Sequence, residues 1–107
     1  MLRNLFRSPS APSREEVFET LVEGSAFKLE RIVSTGQSTP PGEWYDQERD
    51  EWIALLTGRA TIRFEHPAET VTLSPGDWLL IPAHRRHRVE ETAGDRDSVW
   101  VALHFHA

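Results

Sequence analysis

The sequence predicts a small all-β domain, because short segments of alternating apolar and polar residues follow one another along most of the chain. The alternation begins near Phe27 and continues to the last residues, and glycine and proline interrupt it repeatedly. Successive side chains of a strand point to opposite faces, so this alternation is typical of half-buried strands. Short strands at this spacing, with turn residues between them, favour a sandwich or barrel over an α/β fold.

The length and charge of the chain limit its architecture and its partners. A chain of 107 residues forms one domain, which buries about two-thirds of the surface that its unfolded form exposes. Twelve Lys and Arg residues against 17 Asp and Glu residues give a net charge of −5, which opposes non-specific attraction to nucleic acid. The sequence has no cysteine, no run of about 18 apolar residues and no secretory segment. We therefore expect a cytoplasmic protein without a nucleic-acid or membrane partner.

Residues 1–23 are expected to form an N-terminal arm and a short helix, ahead of a β-barrel domain at 24–107. Serine and proline in the first dozen residues suit an extended arm, which Leu2, Leu5 and Phe6 could anchor on a partner subunit. The segment 13–16 has the spacing of a helix capping box. Apolar residues at helical spacing follow it: Val17, Phe18, Leu21 and Val22. We expect a two-turn helix here and a homodimer that buries the arm.

The remaining chain divides into strands separated by turns. The segments 44–56 and 59–65 are strand candidates, and Thr57-Gly58 between them predicts a two-residue hairpin that needs the positive φ of glycine. Tyr45, Gln47 and Glu51 share strand parity with the apolar residues that follow, so a polar mouth is expected to grade into an apolar interior. The last strand is expected at 98–106.

The segment from Gly76 to His87 is the most informative part of the sequence. A Gly-Asp turn opens it, and the apolar run 78–81 has the length of a buried strand. After Pro82 and its turn, alternation places His87 on the same face as Val89. An imidazole is therefore expected to point into the interior.

This segment resembles the second motif of the cupin superfamily, in which a glycine, a proline, a glycine and a histidine stand at fixed spacing. Gly76, Pro82 and His87 match that motif, and His84 stands where the family usually has glycine. Glu51 and Gly58 resemble the second half of the first cupin motif, a glutamate followed by six residues and a glycine. The resemblance covers residues 44–89 and implies a jelly-roll β-barrel.

The resemblance also implies a candidate metal site and a small-molecule pocket. In metal-binding cupins the histidines and glutamate of the two motifs converge on one divalent ion, commonly iron, manganese, nickel, zinc or copper. Carried over by position, it implies Glu51 and His87 as ligands. Tyr45 and Gln47 replace the two histidines of the first motif, with Gln47 as a neutral oxygen ligand and Tyr45 as a phenol facing the substrate. His104 is a candidate further ligand, although both faces of its strand are apolar enough to be buried.

Several interpretations of these residues stay open at this point. His87 is either a metal ligand or a neutral core histidine that is hydrogen-bonded to Glu51. The protein is then a metal-dependent enzyme acting on a small polar substrate, with Tyr45 or Glu51 handling protons. It is alternatively a metal-free isomerase or epimerase, with His87 as base and Tyr45 as acid, or a module that binds a small ligand without converting it.

Overall fold

The computed structural model describes residues 2–7 and 15–106 and consists of two antiparallel β-sheets. One sheet has five strands in the order β1-β2-β8-β3-β6, and the other has three in the order β5-β4-β7. The strands found in the described residues are β1 (Val17–Glu23), β2 (Phe27–Ser34), β3 (Asp50–Thr57), β4 (Ala60–Phe64), β5 (Glu69–Leu73), β6 (Trp78–Ile81), β7 (His87–Thr92) and β8 (Ser98–Phe105). The prediction of an all-β fold is confirmed.

The hydrophobic core lies between the two sheets. Leu55 and Trp100 from the larger sheet pack in one buried cluster with Ile62, Phe64 and Leu73 from the smaller sheet. The expected closed barrel is not formed, because within 2–7 and 15–106 each sheet keeps its own edges and no ladder joins them. The described residues include no helix long and apolar enough to cross a membrane.

The prediction of an N-terminal helix is wrong, because its apolar residues lie in strand β1. This strand pairs with β2 from Val17 opposite Val33 to Glu23 opposite Lys28, with a bulge between Thr20 and Val22. A two-turn helix is too short to be stable alone, whereas an edge strand has its backbone hydrogen bonds supplied by β2. The first two residues of the predicted capping box lie outside the described residues.

The N-terminal segment 2–7 is held by a buried guanidinium. Arg31 on β2 donates to the carbonyl oxygens of Leu5 at 3.0 Å and Arg7 at 2.7 Å, and it also pairs with Glu19 of β1. The backbone of the arm is therefore fastened to its own subunit. The side chains of Leu2 and Phe6 remain 96% and 60% exposed.

The predicted hairpin at Thr57-Gly58 is also wrong, although the glycine has the expected positive φ of 82°. Strand β3 ends at Thr57 and β4 begins at Ala60 in the other sheet, so the turn is a crossover between sheets. Strand β3 begins only at Asp50 rather than at residue 44. A Cβ on Gly58 would lie 2.2 Å from Ser98 Oγ and 2.6 Å from Ser98 Cα, so the crossover passes directly against β8.

Replacing Gly58 by alanine is expected to lower the free energy of unfolding by at least about 2 kcal/mol, because left-handed strain adds to a collision with the backbone of β8. Gly42 is the matched control, since its φ is 81° and no atom lies within 4 Å of its added Cβ. Gly42→Ala is expected to cost only about 1 kcal/mol, from the strain alone. Urea denaturation of both variants measures the difference, and equal losses would contradict the role assigned to the contact with Ser98.

Candidate active site

A cavity of about 110 Å³ lies between the two sheets and has a polar and an apolar part. Its polar lining comprises Glu16, Glu30, Tyr45, Gln47, Glu51, His87 and His104. Its apolar lining comprises Phe18, Ile32, Ile53, Ile62, Ile81, Val89 and Trp100. All five residues singled out from the sequence as catalytic or metal-binding therefore reach one cavity, with the predicted change from polar to apolar along β3.

His87 enters the cavity from the first position of β7. Its backbone forms a bridge with Tyr45 through hydrogen bonds of 2.7 and 3.0 Å, and its side chain is only 5% exposed. The ring nitrogen Nδ1 lies 2.8 Å from the carbonyl oxygen of Arg85. Because a carbonyl only accepts, Nδ1 carries the proton in this contact. In the neutral imidazole Nε2 is therefore left unprotonated, and it faces Glu51 Oε1 at 3.5 Å.

Glu51 lies between two imidazoles. Its Oε1 is 3.5 Å from His87 Nε2, and its Oε2 is 3.7 Å from His104 Nε2. The carboxylate is 7% exposed, so burial would disfavour its charge if no donor stood nearby. His104, protonated in its pair with Glu30, places a positive charge 3.7 Å from Glu51, and Glu51 can stabilise a positive charge that develops on His87.

His104 faces the cavity, which the parity of the last strand alone did not decide. The register of β8 places it between Lys28 of β2 and Glu51 of β3, so all three share one row across the sheet. Its Nε2 lies 2.9 Å from Glu30 Oε1. This hydrogen bond raises the pKa of His104. Burial opposes the shift, and the negative charge of Glu51 adds to it.

Glu30 is a cavity residue that the sequence analysis did not identify. It is 8% exposed, and the hydrogen bond from His104 lowers its pKa although burial opposes the shift. Near neutral pH the two groups therefore favour an ion pair. One signal in the sequence could have identified Glu30: it lies two residues before Ile32 and therefore on the same face of the strand. A carboxylate on the buried face of a strand needs a buried partner.

Tyr45 covers one face of His87, with ring centroids 5.5 Å apart and planes 27° from parallel. Burial, with the charges of Glu16, Glu51, Glu30 and Glu43 adding to it, raises the pKa of Tyr45. The phenol therefore stays protonated near neutral pH and can donate a hydrogen bond. The side chain is 38% exposed, which places it where the cavity meets solvent.

The rim includes His84, which stands where cupins usually have glycine. It adopts a φ of 63°, so this side chain takes the left-handed conformation that glycine takes without strain. Its Nδ1 lies 2.8 Å from Asp46 Oδ1, and both side chains are exposed. His84 is thus a residue of the rim and does not line the cavity.

The fit of these residues to a divalent metal is partial. Gln47 Oε1 is buried without a hydrogen-bond partner, and His87 binds a carbonyl through Nδ1 as metal-ligating histidines commonly do. Against this, Nε2 of His104 is engaged by Glu30. Within the described ranges no group of three or more His, Asp or Glu side chains is arranged to hold a metal ion. A metal would therefore depend on Gln47, Glu51 and His87.

The pair of Glu30 and His104 predicts a bell-shaped contribution to stability. A carboxyl whose folded pKa lies below 4.5 loses its contribution as the pH falls through that folded value. An imidazole whose folded pKa lies above 6.5 loses its contribution as the pH rises through its folded value. The difference in unfolding free energy between wild type and Glu30→Gln should therefore be largest between pH 4.5 and 6.5. Urea denaturation across this range measures it.

Glu48→Gln is the control for this measurement, because Glu48 is exposed and forms no ion pair with any described residue. Its stability curve should run parallel to that of the wild type. A Glu30→Gln difference that does not change with pH would contradict the ion pair.

Comparison with known proteins agrees with this geometry. The family model described as "Cupin domain" matches residues 30–104. A protein from Ralstonia eutropha JMP134, proposed to be a mannose-6-phosphate isomerase, has a similar structure with 43% identity and a TM-score of 0.93, covering 100% of this chain and 99% of that chain. No curated protein sequence matches the chain.

Two more distant structures share the fold. A cupin superfamily protein from Desulfitobacterium hafniense DCB-2 is 18% identical, with a TM-score of 0.76 and coverage of 92% of this chain and 84% of that chain. The iron(II) form of HppE is 14% identical, with a TM-score of 0.71 and coverage of 84% and 50%. The family model matches residues 30–104, more than half of the 107-residue chain, and the chain therefore belongs to the cupin domain family.

Proposed function

We propose that the protein is an isomerase or epimerase that moves a proton within a small hydroxy-carbonyl substrate of the sugar type. The observation that carries this proposal is His87, whose Nδ1–H is held by a carbonyl so that Nε2 points into the cavity beside Glu51. The relative from Ralstonia eutropha, itself proposed to be a mannose-6-phosphate isomerase, supports the same class of reaction.

His87 is the proposed base. Nε2 of the neutral ring removes the proton from the carbon next to the substrate carbonyl while Tyr45 donates its proton to the carbonyl oxygen, which leaves an enediol. In an isomerisation the tyrosinate takes the proton of the other enediol hydroxyl, and His87 returns its proton to the former carbonyl carbon. In an epimerisation a second donor must protonate the opposite face of the same carbon; Tyr45 is the candidate, and solvent then returns the proton from His87 to Tyr45. Glu51 Oε1, 3.5 Å away, stabilises the imidazolium that exists between the two steps. No oxidant or reductant is needed, because the substrate only redistributes its own protons and electrons.

Tyr45 is the proposed donor to the substrate carbonyl oxygen, and the positive charge of His104 assists it. The phenol of Tyr45 remains protonated and stacks on His87, so it can donate to the carbonyl oxygen as charge develops there. His104 holds its proton against Glu30 and faces the same cavity. Gln47 Oε1, buried and without a partner, would accept a hydrogen bond from a substrate hydroxyl.

The size of the cavity limits what it encloses. Its volume of about 110 Å³ is below the range of about 300 to 1,000 Å³ that is usual for ligand pockets. A whole hexose therefore does not fit inside. The reacting carbons would enter the cavity while the rest of the substrate remains at its mouth.

Metal-assisted chemistry is the second candidate, and the unpartnered Gln47 Oε1 is the observation that favours it. Gln47, Glu51 and His87 would hold the ion, which would act as a Lewis acid on the substrate carbonyl. Iron, manganese, nickel, zinc and copper are the ions to consider. The role of Tyr45 as proton donor would stay the same.

Incubation with mannose 6-phosphate in deuterated water tests the proposal, since proton transfer through His87 would incorporate deuterium at carbon as product forms. His87→Ala is expected to lower kcat/KM by about 100-fold or more, the usual contribution of a general base. His66→Ala is the matched control, because that imidazole is 86% exposed. Absence of both product and deuterium exchange with wild-type protein would contradict the isomerase.

The same experiment separates the two candidates when the protein is purified without a nickel column. Elemental analysis and activity are compared before and after chelation and after addition of each of the five metals. Activity that does not depend on metal supports His87 as base alone. Activity that appears only with a stoichiometric ion, and an ion that His87→Ala loses, supports the metal-assisted alternative.

We also propose that the protein is a homodimer. The arm exposes Leu2 and Phe6 although Arg31 fastens its backbone, and the edge strand β6 exposes Trp78 and Leu80 at 63% and 52%. Large apolar side chains exposed at a sheet edge are commonly covered by another chain. Light scattering at micromolar concentration should report twice the chain mass, and Trp78→Glu should shift the protein towards monomer. A monomeric wild type would overturn this proposal.

A further inference from the structure

The cavity is unsuited to an anionic group. Three carboxylates line it, those of Glu16, Glu30 and Glu51, and no lysine or arginine is among its described lining residues. A phosphate or carboxylate of a substrate would meet like charges in a space from which water is partly excluded, where repulsion is strong. A charged end of the substrate must therefore stay outside.

A second, open depression adjoins the cavity at its mouth. Its volume is about 490 Å³, and it shares Glu30, Gln47 and His104 with the cavity as a common wall. Its other lining residues are Lys28, Glu48 and Arg49. Two permanent cations, Lys28 and Arg49, thus stand beside the entrance to the candidate active site, together with the exposed carboxylate of Glu48.

The sheet register explains why these cations flank the entrance. Lys28 pairs with His104 across β2 and β8, and His104 pairs with Glu51 across β8 and β3. Lys28 shares the cavity-facing side of β2 with Glu30 and occupies the outer end of that row. Arg49 immediately precedes β3 and lines the same depression, so it stands on the β3 side of the entrance.

Both cations retain capacity for a ligand. Lys28 Nζ has one carboxylate near it, Glu30 Oε2 at 3.8 Å, and Glu30 is already bound to His104 through Oε1. Arg49 uses Nε for a 3.3 Å hydrogen bond to His106 Nε2, and it has no carboxylate partner in the part of the chain that the structure describes. The two terminal nitrogens of its guanidinium are therefore available for an anion.

We propose that Lys28 and Arg49 form a subsite for the anionic end of the substrate, so that the substrate is a sugar carrying a phosphate or a carboxylate. The neutral hydroxy-carbonyl end then reaches past Gln47 and His104 into the cavity. This inference rests on the proposed function and adds to it the charge, the orientation and two specificity-determining residues. The difference in charge between the two places selects the orientation, since the cavity has three carboxylates and no Lys or Arg among its described lining residues, whereas the depression sets Lys28 and Arg49 against Glu30 and Glu48.

The test compares the binding of two charged sugars with the binding of a neutral sugar. Isothermal titration measures the binding of mannose 6-phosphate, mannose and glucuronate to wild type, Lys28→Ala, Arg49→Ala and the double variant. The wild type should bind at least one of the charged sugars about ten-fold more tightly than mannose, the gain expected of charge-assisted hydrogen bonds. Each single variant should lose most of that preference while its affinity for mannose stays unchanged. The charged sugar with the larger preference identifies phosphate or carboxylate as the recognised group.

Arg96→Ala is the matched control, because this exposed arginine lies in the loop before β8, at the end of the strand opposite His104. It removes the same charge from the protein without touching the subsite. A preference that survives in the double variant, or that Arg96→Ala lowers equally, would overturn the subsite.

Failure of the subsite and failure of the proposed function give different results. If the subsite alone is wrong, deuterium exchange through His87 persists and charged and neutral sugars bind alike. If the proposed function is wrong, no exchange occurs with any sugar, although binding still reports on the cations. Increasing salt should weaken the binding of the charged sugar and leave that of mannose unchanged, because only the former depends on exposed charges.

Discussion

The position of β8 between β2 and β3 is the constraint on which the rest of the structure depends. Its two ladders bring residues that are far apart in the sequence into one row, with Lys28, His104 and Glu51 side by side. Two residues further along, Ala102 lies between Glu30 and Ile53, and after two more residues Trp100 lies between Ile32 and Leu55, so the rows become apolar over two steps of the pleat. Register therefore sets both the polar cluster and its boundary with the core.

Burial gives the polar cluster its chemical character. Glu30 and Glu51 lie where a charge without partners would be unfavourable, and His104 stands within reach of both. His87 completes the arrangement with one nitrogen committed to the Arg85 carbonyl and the other facing Glu51. Glu30 and His104 thus shift each other's pKa in opposite directions, and perturbed pKa values are common at acid–base sites.

The differences from the usual cupin pattern explain why the chemistry does not follow from the fold. Tyr45 and Gln47 stand where the family motif has histidines, which replaces two strong metal ligands by a phenol and an amide. Glu30 is hydrogen-bonded to His104, so the second of the two imidazoles in the cavity already has a partner. The result is a cavity that is richer in proton donors and acceptors than in metal ligands. Cupin folds host many activities, and the side chains in the cavity decide among them.

The sequence by itself determined the β class and the inward orientation of His87, because alternation and turn residues are local properties of the chain. The strand parity predicted for Tyr45, Gln47 and Glu51 does not hold, since β3 begins only at Asp50, although all three residues line the cavity. The sequence also predicted the positive φ of Gly58. It did not determine that Gly58 crosses between sheets, that Val17–Glu23 is a strand, or that Glu30 and His104 meet in the cavity. Those outcomes depend on partners distant in the chain: β2 supplies the hydrogen bonds that make β1 a strand, and the register of β8 brings a histidine and a carboxylate 74 residues apart within 2.9 Å.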